Sequence, residues 1–348
     1  MHHCRPSAVD YPQTDQYLPD IAADMPAIPS RFGARRISCD DQGARCKYRA
    51  ELTDGTPTFI KAVFLPAPRD QLRRLVSECN VLTELERAGV SSVPRCLEVC
   101  DATRGCANAS VLVQSAVEGA STLDIFAQGP HGQVGLIAVA NGALRLLANL
   151  SRAGVAHRDL SGANLLVGDD DASNVHLVDF DGAVLVRDCA AGVKGIRECA
   201  PEHLMPGPPW DKTAEPITFN IPPEVFGACT DLWQAFATDA LGNVPGDAAT
   251  ASLFAAGSFD LWGLGMALLH KLQCDEHAAE RVWRYGLDEW RGGQREPHEG
   301  SGATRRLARL AGECVGAAPT HLQRLLSRLL DPQPARRGSA GELLSLTS

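Results

Sequence analysis

Between Arg69 and Ala88, apolar residues stand at 72, 75, 76, 79, 82 and 85. That spacing predicts one buried helical face, and Gly89 follows as a stop. Ahead of it, residues 36–65 read as short strands, with turns at Asp40-Asp41-Gln42-Gly43 and Asp54-Gly55. Two further strand-like stretches, 95–100 and 110–117, complete a small sheet with one helix. After Glu118-Gly119 the pattern turns helical, over about 123–128, 134–153, 259–273, 277–290, 303–314, 319–330 and 339–346. The expectation is an α+β chain in which a small strand-rich lobe precedes a larger helical one. Residues 1–30 carry five prolines and little periodic pattern, and read as a flexible or partner-bound leader. The stretch 203–258 is rich in Pro, Gly and Ala and patterns poorly.

Composition narrows the function. The chain has 348 residues, 45% hydrophobic and 22% charged, enough to bury a core without a disulfide or metal staple. Its formal net charge of −9 argues against nucleic acid or an anionic membrane as partner. The opening MHHCRPSAVDYPQ has no apolar core of a secretory signal. The most apolar stretches, 135–150 and 259–272, are interrupted by Asn141, Arg145, Asp260 and His270, and read as core helices rather than membrane spans. Twelve scattered cysteines without a C-x-x-C pair favour reduced thiols and a cytoplasmic location. Cys96, Cys100 and Cys106 cluster without zinc-ligand spacing.

The chemistry is concentrated in His157-Arg158-Asp159-Leu160-Ser161-Gly162-Ala163-Asn164, followed by Val178-Asp179-Phe180-Asp181-Gly182. Asp159 can orient an incoming hydroxyl and accept its proton. Asn164, five residues on, can reach a metal from the same loop, and Asp179 can hold a second coordination position. Hard oxygen donors of this kind suit Mg²⁺, with Mn²⁺ as the alternative.

These residues resemble the catalytic loop and D-F-G element of the eukaryotic-type Ser/Thr protein kinase family. The resemblance runs from about residue 36 to 346. It implies a bilobal protein-kinase-like fold, with an N-lobe over 31–117 and a C-lobe over 118–348 that carries an insertion within 203–258. It also implies ATP as cofactor. Thr58-Phe59-Ile60-Lys61 is similar to the third-strand V-A-I-K, which makes Lys61 the phosphate-binding lysine and Glu78 its ion-pair partner. Gln114, Ser115, Ala116 and Val117 resemble the gatekeeper and adenine-binding hinge, with Leu166 as a further nucleotide contact. Gly43 is the residue that fits a Gly-rich loop. Arg158 beside Asp159 resembles the arginine that reads a phosphorylated activation loop. Asp260-Leu261-Trp262-Gly263-Leu264-Gly265 and Leu329-Leu330-Asp331-Pro332 through Arg337 are similar to later family motifs. There Arg337 implies a buried partner, the glutamate of A-P-E. Ala200-Pro201-Glu202 and Pro222-Pro223-Glu224 are both candidates.

The departures matter. The Gly-rich loop is degenerate, and Phe59 stands where the family has a small residue over the adenine. Ser161 occupies the place of a phosphate-contacting lysine. Residues 183–201 hold no Ser, Thr or Tyr, so with Glu202 as the anchor no loop phosphorylation is possible, whereas Glu224 makes Thr213 and Thr218 available. Cys189 and Cys199 offer oxidation instead. A D-L-S-x-x-N loop ending in D-F-D is also similar to bacterial kinases of lipopolysaccharide sugars and other small molecules. The leading expectation is a Mg·ATP-dependent kinase of protein Ser/Thr hydroxyls. The alternatives are a sugar or lipid kinase, and a pseudokinase that binds partners without catalysis. Heavy Ala, Arg and Gly usage suggests a bacterial source and, as a second location, delivery into a host cell as an effector.

Overall fold

A computed structural model describes residues 35–39, 45–52, 54–64, 69–100, 109–128, 132–190, 222, 224, 257–272 and 320–346. The expected leader, Gly43, Glu202, Cys199, the helices at 277–290 and 303–314 and nearly all of 203–256 lie outside them. The chain divides into two compact units, Met1–Val76 with Cys96–Ala116, and Ser77–Arg95 with Val117–Ser348.

The first unit is built on a five-stranded antiparallel sheet. Its strands are β1 (Arg35–Cys39), β2 (Arg45–Glu51), β3 (Pro57–Phe64), β4 (Cys96–Cys100) and β5 (Ala109–Ser115), in the order β1-β2-β3-β5-β4. Strict alternation sorts the side chains. Tyr48 pairs with Ile60, Cys46 with Ala62 and Ile60 with Val113, so one face is apolar and buried. The other face carries Phe59 and Lys61 on β3, opposite Gln114 and Leu112 on β5.

Helix α1 (Arg69–Arg87) straddles the division, with Leu75, Cys79, Leu82 and Leu85 buried along one stripe. The second unit continues through β6 (Ala120–Thr122), α2 (Leu123–Phe126), α3 (Gly132–Arg152), β7 (Val155–Ala156), β8 (Leu165–Gly168) and β9 (Val175–Leu177). Then follow β10 (Val184–Leu185), α4 (Val186–Ala190), α5 (Gly257–Lys271), α6 (Thr320–Leu329), α7 (Pro334–Arg337) and α8 (Ala340–Leu344). Helix α5 is buried without a break from Phe259 to Leu269, the mark of a central helix. It packs on α3 and α6. Helix α6 turns Leu322, Leu325, Leu326 and Leu329 inward at helical spacing. A capping box between Ser339 and Glu342 starts α8.

Cys46, Cys79, Cys96 and Cys189 are disulfide-bonded, which corrects the expectation of reduced thiols at those positions. Disulfides follow proximity in the folded chain, which scattered spacing along the sequence does not reveal.

Candidate active site

The loop from His157 to Asn164 leads from β7 into β8, and buried groups fix its shape. Asp260, in the first turn of α5, accepts the backbone N–H of His157 at 2.9 Å and of Arg158 at 2.7 Å. One carboxylate thereby satisfies two consecutive buried amides. Burial pushes the Asp260 carboxyl above its ordinary range, against the pull of His157, the two amides and Arg158. One turn along α5, Gly263 lies under the loop. A Cβ there would stand 3.1 Å from both the Cβ and the carbonyl oxygen of Leu160, so glycine permits the close approach.

Arg158 holds a left-handed backbone with φ of 68° and donates from Nε to the Gly182 carbonyl at 2.8 Å. This gives Arg158 a structural partner in the segment after Asp179. The His157 ring donates from Nε2 to the Val178 carbonyl at 3.0 Å, while its Nδ1 accepts the Asp159 N–H at 3.3 Å. Asn164 donates from Nδ2 to the Asp159 carbonyl at 2.8 Å and to Asp159 Oδ2 at 3.0 Å. Asp159 and Asn164 are thus tied together. The Asn164 Oδ1 remains the end of that side chain able to meet a cation.

The β8–β9 hairpin brings in the third group. Leu165 pairs with Leu177, so Asn164 and Val178 flank the same end, joined by Val178 N–H to Asn164 carbonyl at 3.0 Å. Asp179 follows with φ of 68° and ψ of 66°, and a single 3-10 turn, Phe180–Gly182, comes next. Left-handed backbone costs a non-glycine residue about 1–3 kcal/mol, so the surroundings must impose it at both Arg158 and Asp179. Two contacts do so. The Phe180 N–H donates to Glu78 Oε1 on α1 at 3.2 Å, and the Phe180 ring meets His157 edge-on, centroids 4.6 Å apart. Glu78, expected as an ion-pair partner, is buried and holds the backbone next to Asp179.

In the first unit, Lys61 is buried on β3, 6% exposed. Phe59 stands directly opposite Gln114. Gln114 is buried, and its Oε1 has no hydrogen-bond partner among the described residues. A buried orphan acceptor costs about 1–3 kcal/mol unless a ligand donor satisfies it. An amine on a nucleotide base is such a donor, so this residue fits a nucleotide. Ser115 ends β5, and the Ala116 N–H is already bonded to the Pro57 carbonyl at 3.0 Å, which removes one expected hinge donor. Val117 and Leu166 are half-buried, the latter on β8 between Thr122 and His176.

A divalent ion fits the second unit. Among the described residues no three His, Cys, Asp or Glu side chains form a metal cage. Mg²⁺ in phosphate chemistry takes one or two protein carboxylates and completes its shell with other oxygens, phosphate and water; Asp179 offers a carboxylate and Asn164 an amide oxygen.

Arg337 finds its partner in Glu224. Its NH1 and NH2 donate to the two carboxylate oxygens at 2.6 and 2.8 Å, its Nε to the Asp331 carbonyl at 2.8 Å, and NH1 also to the Ser258 carbonyl at 3.1 Å. The guanidinium lies 5.0 Å from the centre of the Trp262 ring. Of the two A-P-E candidates, Glu224 is therefore the one Arg337 holds.

The spacing of the motifs did not reveal that Asp260 clamps the loop. A carboxylate at the head of an otherwise apolar helix was the one visible signal, since a buried Asp needs donors.

The fold is protein-kinase-like, and a kinase-family match supports an ATP-dependent phosphotransferase. Residues 56–188 match the model of the lipopolysaccharide kinase (Kdo/WaaP) family. That stretch contains Lys61, Glu78, Gln114, Asp159, Asn164 and Asp179. No curated protein matches the chain.

Proposed function

We propose that this protein transfers the γ-phosphoryl group of ATP to a hydroxyl of a saccharide of the lipopolysaccharide type. The observation that carries the reading is the match over 56–188, which spans every proposed catalytic group. Asp159 orients the acceptor hydroxyl and takes its proton as the new bond to phosphorus forms. Asn164 fixes the Asp159 carboxylate through Nδ2 and, with Asp179, holds Mg²⁺. The ion supplies charge neutralisation on the transferred group. Lys61 binds phosphate oxygens, and the Gln114 acceptor meets the base. Glu78 keeps the Asp179 backbone in its left-handed conformation. Ser161, small and neutral, leaves room beside Asp159 for a bulky ring. No helix among the described residues is long and apolar enough to cross a membrane.

A second reading, transfer to protein Ser or Thr, has one observation in its favour. The Glu224–Arg337 pair lies outside the matched stretch and is the element that resembles the protein-kinase C-lobe.

Purified protein with Mg²⁺ and γ-labelled ATP, offered core oligosaccharides and generic proteins in parallel, separates the two. Label on the saccharide, lost in Asp179→Ala and reduced about 100-fold or more in Asp159→Asn, is the expected result. Label on protein alone replaces the first reading with the second. Label on neither acceptor overturns both.

A further inference from the structure

Lys271 closes α5, and its ammonium is ion-paired with the Asp124 carboxylate in the first turn of α2. The pair sits directly on the catalytic loop. A Cβ added to Gly162 would overlap Asp124 Oδ1 and come within 3.2 Å of Lys271 Cε. Gly162 lies three residues after Asp159 and two before Asn164. Helix α5 therefore reaches the loop at three levels: Asp260 under the His157 and Arg158 amides, Gly263 under Leu160, and Lys271, through Asp124, against Gly162. The first two contacts are buried. The third is partly exposed, with side-chain exposures of 18% for Lys271 and 37% for Asp124.

Loop groups beyond Leu160 differ from those before it. Asp159 is tied forward to Asn164, and the amides of Asn164 and Leu165 bond back to the Ser161 carbonyl at 3.2 and 3.1 Å. That turn brings Gly162 outward against the pair.

We propose that the Asp124–Lys271 ion pair is a positioning device for phosphoryl transfer. By pressing on Gly162 it fixes the Ser161–Asn164 turn, and through the Asn164–Asp159 hydrogen bonds it fixes the carboxylate that presents the acceptor hydroxyl. The transfer part of this proposal rests on the kinase reading of Asp159. A partly exposed ion pair contributes little to global stability. Its effect is therefore local: acceptor geometry changes while the fold and the nucleotide side do not.

The test uses the full chain and four variants: Asp124→Asn, Lys271→Met, Gly162→Ala and the charge-exchanged double Asp124→Lys/Lys271→Asp. Amide hydrogen exchange over residues 159–165, without substrates, is the first readout. It is expected to quicken by roughly fivefold in each single variant, with little change in Tm, and to recover in the exchanged double. Acceptor KM is the second readout, expected to rise about threefold or more while the KM for ATP holds. Unchanged loop exchange in Asp124→Asn and Lys271→Met overturns the proposal, whatever the activity. Faster exchange with wild-type kinetics for the acceptor also overturns it, because the pair then only braces the fold. If the wild type transfers phosphate to no acceptor, the kinase reading fails and takes the positioning role with it, while the exchange data still decide whether the pair holds the loop.

Discussion

Two adjacent amides, those of His157 and Arg158, depend on one carboxylate, Asp260. Asparagine at that position accepts through Oδ1 from one amide and turns an NH₂ toward the other, leaving a buried donor unpaired. Asp260→Asn is expected to lower unfolding free energy by about 1–3 kcal/mol, read from urea titrations as a shifted midpoint with an unchanged slope. It is also expected to reduce transfer, because Asp159 follows directly. The residues proposed to do the chemistry were legible as a group, since Asp159, Asn164 and Asp179 sit at spacings set by one loop and one hairpin. Asp124 and Lys271 were not. Their meeting depends on α2, α5 and the loop converging, and no local pattern records that.

At the scale of elements, α5 and α7 are joined at Arg337, where a bidentate ion pair, two carbonyls and the Trp262 ring surround a fully buried guanidinium. A buried pair is strongly destabilising when one partner is removed, because the other charge remains without compensation. Arg337→Met and Glu224→Gln are each expected to cost about 3–5 kcal/mol in chemical denaturation. The double Glu224→Leu/Arg337→Met is expected to lose less than the sum of its parts. Long helices announced themselves here: α1, α3, α5 and α6 fall where apolar periodicity put them. Strands of two or three residues, β6, β7 and β10, were invisible because an alternation needs more positions than they have. The A-P-E glutamate stayed open for a related reason. Two similar tripeptides compete in the sequence, and only the position of Arg337 in space selects between them.

At the scale of the molecule, charge sets how substrates arrive. A chain of formal net charge −9 repels a polyanionic saccharide at long range and attracts a basic protein. Salt screens both effects over a Debye length of about 10 Å at 0.1 M. For a phosphorylated saccharide acceptor, kcat/KM is expected to rise as ionic strength increases from about 0.01 to 0.1 M. For a basic protein acceptor it is expected to fall. Steady-state kinetics across a salt series therefore report the acceptor class independently of labelling.

The clamp on the catalytic loop also has a history in time. His157 and its holder Asp260 are separated by 103 residues, and Glu224 and Arg337 by 113. At about 5–20 residues per second, a ribosome that has made the loop needs roughly 5–20 s more to make the carboxylate that shapes it. Throughout that interval the nascent chain holds Asp159 and Asn164 but lacks the scaffold that orients them. Phosphoryl transfer is thereby deferred until α5 has emerged and docked, so a chain stalled before that point carries the catalytic residues without the catalyst.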